Sequence, residues 1–309
     1  MINIDKLLNL IKEDILIGDG AVGTMLQKAG LSTDPDLFTN ENINLLPKVE
    51  DIHFDYICSG SNIIQTSTFG SNLLKLSAGG YDKKIREINE NAADAVFNAV
   101  NKYRKQFFET GILEQRPLLI AANIGPTGKM LEPFGSFKFE ELKNAFALQA
   151  DILINTGKVD IVLIETMMDI NEAVAAIEGV RSISDDIAII CTLTFNEKGV
   201  TLMGNKAEDS VEPLIEAGCT ICGANCSVGS DKMLIVVKKI REANPNAKLI
   251  FQPNAGLPQM IDGQTVYNET PDEMARNIEK YLIYKPSILG ACCGSTPQHI
   301  KKIAELVRK

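Results

Sequence analysis

The chain has 309 residues, of which 45% are hydrophobic and 23% are charged, the composition of an ordinary soluble globular protein. Its net charge of −9 argues against nucleic acid or an anionic membrane surface as the main partner, and no apolar stretch approaches the roughly 20 residues that a membrane span needs. Seven cysteines, an odd number, do not fit a secreted disulfide framework, so we expect a cytoplasmic protein whose thiols are free for metal binding or catalysis.

Apolar runs of strand length alternate with amphipathic helical patterns along the whole chain. The predicted strands begin at residues 15, 61, 117, 159, 187, 220, 248 and 287. The predicted helices span 5–12, 45–59, 81–106, 139–157, 171–182, 207–217, 232–243, 270–284 and 296–308. Eight alternating units favour a parallel (β/α)8 barrel, the TIM barrel, formed by one domain of residues 1–309. The stretch 128–137 after the third strand is expected to form a loop over the site.

The first strand runs into a glycine-rich turn and then into the start of a helix. Asp19 ends this strand, and the backbone amides from Gly20 to Thr24 are placed to hold an anion at the helix N-terminus. The spacing is not the dinucleotide-binding fingerprint, because no third glycine stands at the required position. From this motif alone Asp19 is either a polar site residue or a turn aspartate.

Polar residues follow the apolar part of most predicted strands. The continuous apolar run before Glu165 is typical of a strand buried on both faces, and a carboxylate there needs a partner or a ligand. In (β/α)8 barrels the C-terminal strand ends form the rim that carries the active site. We therefore expect the site at Asp19, Thr66, Asn123, Glu165, Cys226, Asn254, Cys292 and Cys293.

Two adjacent cysteines, Cys292 and Cys293, end the last predicted strand. Neighbouring strand residues point to opposite faces, so both thiols can serve one site only where the backbone turns, which Gly294 permits. Cys226 ends the sixth strand, only two strands away in a closed barrel. Three thiolates on two strand ends are typical of a zinc site with one open position. The alternative is that these residues are buried small hydrophobes.

The remaining cysteines and one histidine are interpreted as structural. Cys219 and Cys222 have the spacing of half a zinc ribbon, but they lie at the start of the sixth strand and no matching pair exists elsewhere. Cys58 and Cys191 are treated in the same way. His53 lies in a predicted helix and is expected to be a half-buried surface side chain without a role in binding.

Eight segments, taken in order, resemble the zinc-dependent homocysteine S-methyltransferase family. Within that family the chain is most similar to the N-terminal homocysteine-binding module of cobalamin-dependent methionine synthases. Each segment is weak alone, and together they span nearly all of the chain. The segments include Asp-Gly-Ala-Val-Gly-Thr-Met-Leu at 19–26, Gln-Thr-Ser-Thr-Phe-Gly at 65–70, Gly-Pro-Thr-Gly at 125–128, Ile-Glu-Thr-Met at 164–167, Thr-Leu-Met-Gly at 201–204, Gly-Ala-Asn-Cys-Ser at 223–227, Pro-Asn-Ala-Gly at 253–256 and Gly-Ala-Cys-Cys-Gly at 290–294.

The resemblance implies a methyltransferase that binds Zn²⁺ through three cysteines, with the homocysteine thiolate as the fourth ligand. The implied zinc ligands are Cys226, Cys292 and Cys293, and these with Glu165 are the residues expected to act in catalysis. In such modules the asparagine that matches Asn254 occupies the zinc before the substrate arrives.

The same resemblance implies the contacts of the amino-acid end of homocysteine. The substrate carboxylate is expected on the backbone amides of Gly20 and Ala21. Its ammonium is expected near Glu165, with Asp19 nearby and Thr66 at the same rim.

The methyl donor stays open. The similarity favours methylcobalamin carried by a corrinoid protein or by missing folate-binding and cobalamin-binding modules, and a self-contained S-methylmethionine-dependent enzyme is the alternative within the family. A thiol redox or zinc-storage protein, which would form a reversible disulfide and have no amino-acid site, is a competing class. A non-catalytic barrel scaffold is another.

Overall fold

The computed structural model describes residues 1–30, 45–110, 116–261 and 264–308. Its main sheet has eight parallel strands in the spatial order β1-β10-β7-β6-β5-β4-β3-β2. A parallel bridge between Gly18, just after β1, and Ile63 of β2 joins the first and last strands of this order and closes the ring. The predicted (β/α)8 barrel is therefore confirmed. The barrel strands are β1 Leu16–Ile17, β2 Ile63–Gln65, β3 Leu119–Ile124, β4 Ile161–Met167, β5 Ile189–Leu193, β6 Ile221–Gly229, β7 Leu249–Asn254 and β10 Ile288–Leu289.

Helices pack against the sheet, most of them on its outer face. They are α1 Ile4–Glu13, α2 Gly23–Lys28, α3 Leu46–Cys58, α4 Leu73–Ala78, α5 Ile85–Thr110, α6 Phe139–Asn155, α7 Ile170–Arg181, α8 Val211–Glu216, α9 Ser230–Ala243, α10 Pro271–Glu279 and α11 Pro297–Val307. Within the described ranges, none of them is both long and apolar enough to span a lipid bilayer.

The secondary structure differs from the sequence prediction most clearly between β7 and β10. The predicted helix 270–284 ends at Glu279, and a separate 3₁₀ turn, Leu282–Tyr284, precedes the last strand. Between β7 and α10 the chain forms an antiparallel hairpin, β8 Gln259–Ile261 and β9 Gln264–Val266, which the sequence analysis did not anticipate. The hairpin follows the C-terminal end of β7 and therefore lies on the predicted site's side of the barrel.

Side chains alternate between the inside of the barrel and the helix-covered outside, as strand geometry requires. At the N-terminal end the inward residues are apolar and pack with Leu7 of α1, which closes the bottom of the barrel. At the C-terminal end the inward positions become polar. These polar inward residues are Gln65, Asn123, Glu165, Thr192, Asn225 and Gln252, all of them buried. The inward side chains thus change from apolar to polar along the barrel axis, and the polar C-terminal end is where a site can form.

His53 on α3 is completely buried, so the expectation of a half-buried surface side chain was wrong. Neither of its ring nitrogens has a hydrogen-bond partner among the described residues. Burial without a partner penalises the charged imidazolium, and the pKa of His53 is lowered to about 3. The helical pattern did not predict the burial of His53, because histidine is found both in protein cores and on surfaces.

His53 should therefore make the protein less stable in acid. Between pH 6.5 and about 3 the unfolded chain protonates this side chain and the folded chain does not, so stability falls as the pH falls through that window. Within this window His53 lowers the free energy of unfolding by about 1.4 kcal/mol for each unit by which the pH falls. His53→Phe should flatten the pH dependence of the unfolding free energy below pH 6.5, measured by urea titration at several pH values. Equal slopes for the two proteins would contradict this assignment.

Candidate metal and substrate site

The three predicted zinc ligands converge at the C-terminal end of the barrel. Cys226 lies near the end of β6, and Cys292 and Cys293 follow β10 after Gly290 and Ala291, with only β7 between these strands. The Sγ atom of Cys293 lies 3.8 Å from that of Cys226 and 4.0 Å from that of Cys292. All three Sγ atoms lie within 4.8 Å of one another.

These distances fit a tetrahedral zinc ion. A Zn–S bond of about 2.3 Å in tetrahedral geometry places two ligand sulfurs about 3.8 Å apart. Across the residues that the structure describes, no second group of three histidine, cysteine or acidic side chains has this spacing. Each of the three cysteines is half-buried, so a fourth position remains accessible from the cavity.

The backbone adopts strained conformations where it presents these side chains. Cys226 and Ser227 have φ values of 61° and 64°, in the left-handed region that non-glycine residues rarely occupy. Thr166 on β4 has a φ of 61° although it is β-branched. Each such residue costs on the order of 1–3 kcal/mol and persists only where the surroundings enforce it, a pattern concentrated at functional sites.

Gly294 provides the turn that follows the cysteine pair, with a φ of 80°. A Cβ atom on this residue would lie 2.2 Å from the Tyr267 side chain, so the close approach of Tyr267 also requires glycine. Tyr267 in turn forms a hydrogen bond with Cys293. The predicted role of Gly294 therefore has two physical reasons, its conformation and its packing.

The thiols do not ionise independently. Hydrogen bonds from Cys226 and then from Cys292 lower the pKa of Cys293 to about 3. The hydrogen bonds with Cys226 and Cys293 raise the pKa of Cys292 well above its usual value. The cluster thus accepts one negative charge readily and resists further ionisation. A divalent cation supplies the charge that lets all three thiols deprotonate.

Beside the cysteines, a chain of hydrogen bonds links two buried carboxylates. Asn123 Nδ2 donates to Glu165 Oε1 and to Gln65 Oε1, both at 2.8 Å. Gln65 then donates to Asp19 through its backbone N–H at 2.8 Å and through Nε2 at 3.0 Å. Burial raises the pKa of Asp19 well above its usual value, and the nearby charge of Glu165 adds to this rise. The network fixes the orientation of Glu165.

Asn225 holds the other oxygen of Glu165, by a 3.2 Å hydrogen bond from Nδ2 to Oε2. Asn225 was not predicted as a site residue, because Cys226 was the only residue of β6 expected at the site. A signal for it existed. Asn225 occupies the same inward-facing row as Asn123 and Glu165, which follows from counting alternate positions back from the strand ends.

The glycine-rich turn is held by residues from both ends of the chain. Ala21 N donates to Ser295 Oγ at 3.1 Å, and the Tyr56 hydroxyl donates to Ala21 O at 2.9 Å. A Cβ atom on Gly20 would lie 2.5 Å from Ser295 Oγ, so glycine is required there. Because the Ala21 amide already has a partner, a substrate carboxylate would have to share or displace Ser295. Tyr56 and Ser295 were not recognised from the sequence.

A cavity of about 480 Å³ joins these parts. Its walls include all three cysteines, Glu165, Thr66 and the turn of residues 20–24. Thr66 Oγ1 accepts from the backbone N–H of Asn123 at 2.9 Å and lies 2.6 Å from the hydroxyl of Thr68, so it shapes the wall while already hydrogen-bonded.

Two residues predicted to bind substrate lie behind the cavity wall. Asp19 is fully buried beneath Gln65. Asn254, at the end of β7, is also buried, and its Oδ1 has no hydrogen-bond partner among the described residues. Direct contact of either residue with a substrate stays a prediction. Residues 128–137 were expected to form a loop over the site, but none of them lines this cavity.

The remaining cysteines do not join the cluster. Cys191, Cys219 and Cys222 are buried, and the Cys219 thiol donates to the carbonyl of Ile221 at 3.1 Å. Cys58 is exposed at the end of α3. That these four cysteines have only a structural role stays a prediction.

Comparisons with known proteins agree with this arrangement. A profile of the homocysteine S-methyltransferase family matches residues 16–307. Methionine synthase of Mycobacterium tuberculosis (strain ATCC 25618 / H37Rv) is 30% identical over 319 residues, which cover 97% of this chain and 25% of that protein. Methionine synthase of Mycobacterium leprae (strain TN) is 30% identical over 321 residues, covering 98% of this chain and 25% of that protein. The chain thus spans about a quarter of the length of these curated relatives.

A similar fold is found in a solved structure. The homocysteine methyltransferase MmuM from Escherichia coli, in its metallated form, superposes with a TM-score of 0.77 at 19% identity, covering 98% of this chain and 99% of that chain.

Replacing one thiol should remove the metal. We expect Cys226→Ala to lower the zinc content of the purified protein from about one ion per chain towards zero, because two thiolates with one open position give an incomplete site. Cys58→Ala is the matched control and should retain the metal, since Cys58 lies outside the cluster. Zinc content is measured by atomic emission after dialysis. Full retention of zinc by Cys226→Ala would show that the ion binds elsewhere.

Proposed function

The chain belongs to the homocysteine S-methyltransferase family, and we propose that it methylates homocysteine to methionine with Zn²⁺ bound by Cys226, Cys292 and Cys293. The observation that carries this proposal is the position of the three thiols, which open on the same cavity as the Glu165 carboxylate. A thiol site and an amino-acid anchor in one cavity fit a substrate that has both groups. A redox or zinc-storage protein would need no such anchor. We further propose that residues 1–309 act as one homocysteine-binding unit.

Zinc, when bound, lowers the pKa of a coordinated thiol and keeps homocysteine as the nucleophilic thiolate at neutral pH. The chain supplies orientation. Glu165, fixed by amide donors on both of its oxygens, is placed to accept the substrate ammonium. The turn at Gly20 and Ala21 is placed to bind the substrate carboxylate. Asp19 orients Gln65 behind this wall, and the unpaired Oδ1 of Asn254 fits a residue that contacts the metal before substrate binds.

The proposed donor is methylcobalamin on a corrinoid protein or on further modules of a longer chain. Exposed apolar side chains on the loops around the barrel mouth support a macromolecular donor. Phe134 after β3, Leu202 after β5 and Met260 on the hairpin are 75%, 80% and 71% exposed. Isolated exposed apolar residues are ordinary, but several on loops that share one rim suit a protein-contact surface.

The test is methionine formation by the zinc-loaded protein from homocysteine, with methylcobalamin and S-methylmethionine compared as donors. We expect turnover with methylcobalamin and loss of turnover in Glu165→Gln, which keeps the shape and removes the charge that pairs with the ammonium. Turnover with the sulfonium alone would replace the corrinoid donor by a small molecule. A protein that holds zinc but methylates homocysteine with none of free methylcobalamin, a methylcobalamin-loaded corrinoid protein and S-methylmethionine would refute the proposal.

The loops around the mouth make a separate prediction. Phe134→Glu and Met260→Glu should raise the KM for a methylcobalamin-loaded corrinoid protein several-fold and leave the rate with free methylcobalamin unchanged, because charge at a rim opposes burial against a partner. Ile283→Glu is the matched control. Ile283 is 77% exposed but precedes β10 at the opposite end of the barrel. An equal effect of all three substitutions would exclude docking at the mouth.

A further inference from the structure

We propose that Asn225 is a positioning residue that couples the metal half of the site to the amino-acid half. Its side-chain amide contacts both the carboxylate that would bind the substrate ammonium and one of the metal-binding thiols. The inference rests on the proposed function for the identity of the substrate. It adds that zinc affinity and recognition of the ammonium depend on the same side chain.

On the amino-acid side, Asn225 supplies hydrogen bonds to Thr166, where the regular pairing of β4 with β5 is interrupted. The register between β4 and β5 shifts between Ile164 and Met167, so the backbone of Thr166 leaves the regular ladder. The Oδ1 atom of Asn225 accepts from Thr166 N at 2.8 Å, and Nδ2 donates to Thr166 Oγ1 at 2.8 Å and to Glu165 Oε2 at 3.2 Å. One amide thus holds the left-handed Thr166 and orients the adjacent carboxylate.

On the metal side, Asn225 immediately precedes Cys226, the residue at which β6 turns into its left-handed conformation. The register of β6 with β7 shifts between Asn225 and Gly229. The Nδ2 atom also lies 3.8 Å from Cys292 Sγ. Its two hydrogens are directed at Thr166 Oγ1 and Glu165 Oε2, so the contact with the sulfur is a weak one that shares a hydrogen with one of those bonds. Asn225 is therefore linked covalently to one ligand and by a weak polar contact to another.

Only an amide meets the demands of this position. The Thr166 N–H and the Thr192 hydroxyl both donate to Oδ1, each at 2.8 Å, so that atom must accept. Glu165 and a Cys292 thiolate need a donor on the other side. An aspartate would keep the shape and the acceptor but place a second carboxylate against Glu165. An alanine would remove the acceptor of the Thr166 N–H and one of the donors to Glu165, and the loss of such hydrogen bonds is costly.

Asn123 provides a matched comparison. Its Nδ2 atom donates a 2.8 Å hydrogen bond to the other oxygen of Glu165 and a second one to Gln65 Oε1. Neither of these hydrogen bonds involves one of the three cysteines. Loss of Asn123 should therefore weaken recognition of the ammonium and leave the metal in place. Loss of Asn225 should weaken both.

The experiment compares Asn225→Ala, Asn225→Asp and Asn123→Ala with the wild-type protein. Zinc affinity is measured by competition with a chromophoric chelator. Ligand binding is measured on the Co²⁺-loaded proteins, whose absorption changes when a thiol coordinates, with homocysteine and with 4-mercaptobutyrate, which lacks only the ammonium group. Both Asn225 variants should lose about 10- to 100-fold in zinc affinity, as typical for residues that orient metal ligands. In all three variants the preference for homocysteine over 4-mercaptobutyrate should fall on the order of 10-fold.

Two results would overturn the inference. One is a folded Asn225→Asp protein, verified by circular dichroism, with wild-type zinc affinity. The other is a loss of zinc affinity in Asn123→Ala as large as in Asn225→Ala, because the effect would then run through Glu165. A wild-type protein that shows no preference for homocysteine would instead refute the proposed function, and the zinc measurements would still decide the metal half of the inference.

Discussion

Repulsion between negative groups is the constraint on which the C-terminal end of this barrel depends. Three thiols and the carboxylates of Asp19 and Glu165 are gathered where the strands end, and contact with the other two thiols lowers the pKa of Cys293 while the pKa of Cys292 is raised. Two of the groups that orient Glu165 are neutral amides, those of Asn123 and Asn225. A divalent metal at the thiols and the ammonium of an amino acid at Glu165, the two ligands proposed above, would each bring positive charge to this end of the barrel.

The amides let carboxylates and thiols lie close together before any ligand arrives. Asn123 and Asn225 each donate a hydrogen bond to one oxygen of Glu165. Gln65 donates in the same way to Asp19. Such a fixed network removes the cost of reorganising dipoles when a charged substrate binds. The left-handed residues at the ends of β4 and β6 show that this arrangement is maintained against local backbone strain.

The sequence was enough to predict the alternation of strands and helices, and with it the closed barrel and the meeting of Cys226 with Cys292 and Cys293. That prediction relied on strand order, which parallel barrels dictate. The inward position of Asn225 could have been predicted from strand alternation, but its contacts with Thr166 could not, because they depend on register shifts in β4 and β6 that have no local sequence signal. The contacts of Tyr56 and Ser295 with the glycine-rich turn join distant segments and likewise needed coordinates. The hairpin 259–266 escaped notice because its exposed strands lack the buried apolar face that marks the barrel strands.

The position of β10 between β1 and β7 has a consequence for when the proposed metal site can form during synthesis. Cys226 emerges from the ribosome well before Cys292, which lies 292 − 226 = 66 residues further on. Until that last strand is inserted, the barrel remains open between β1 and β7 and Cys292 and Cys293 remain apart from Cys226. The three-thiol site is therefore complete only when the ring has closed.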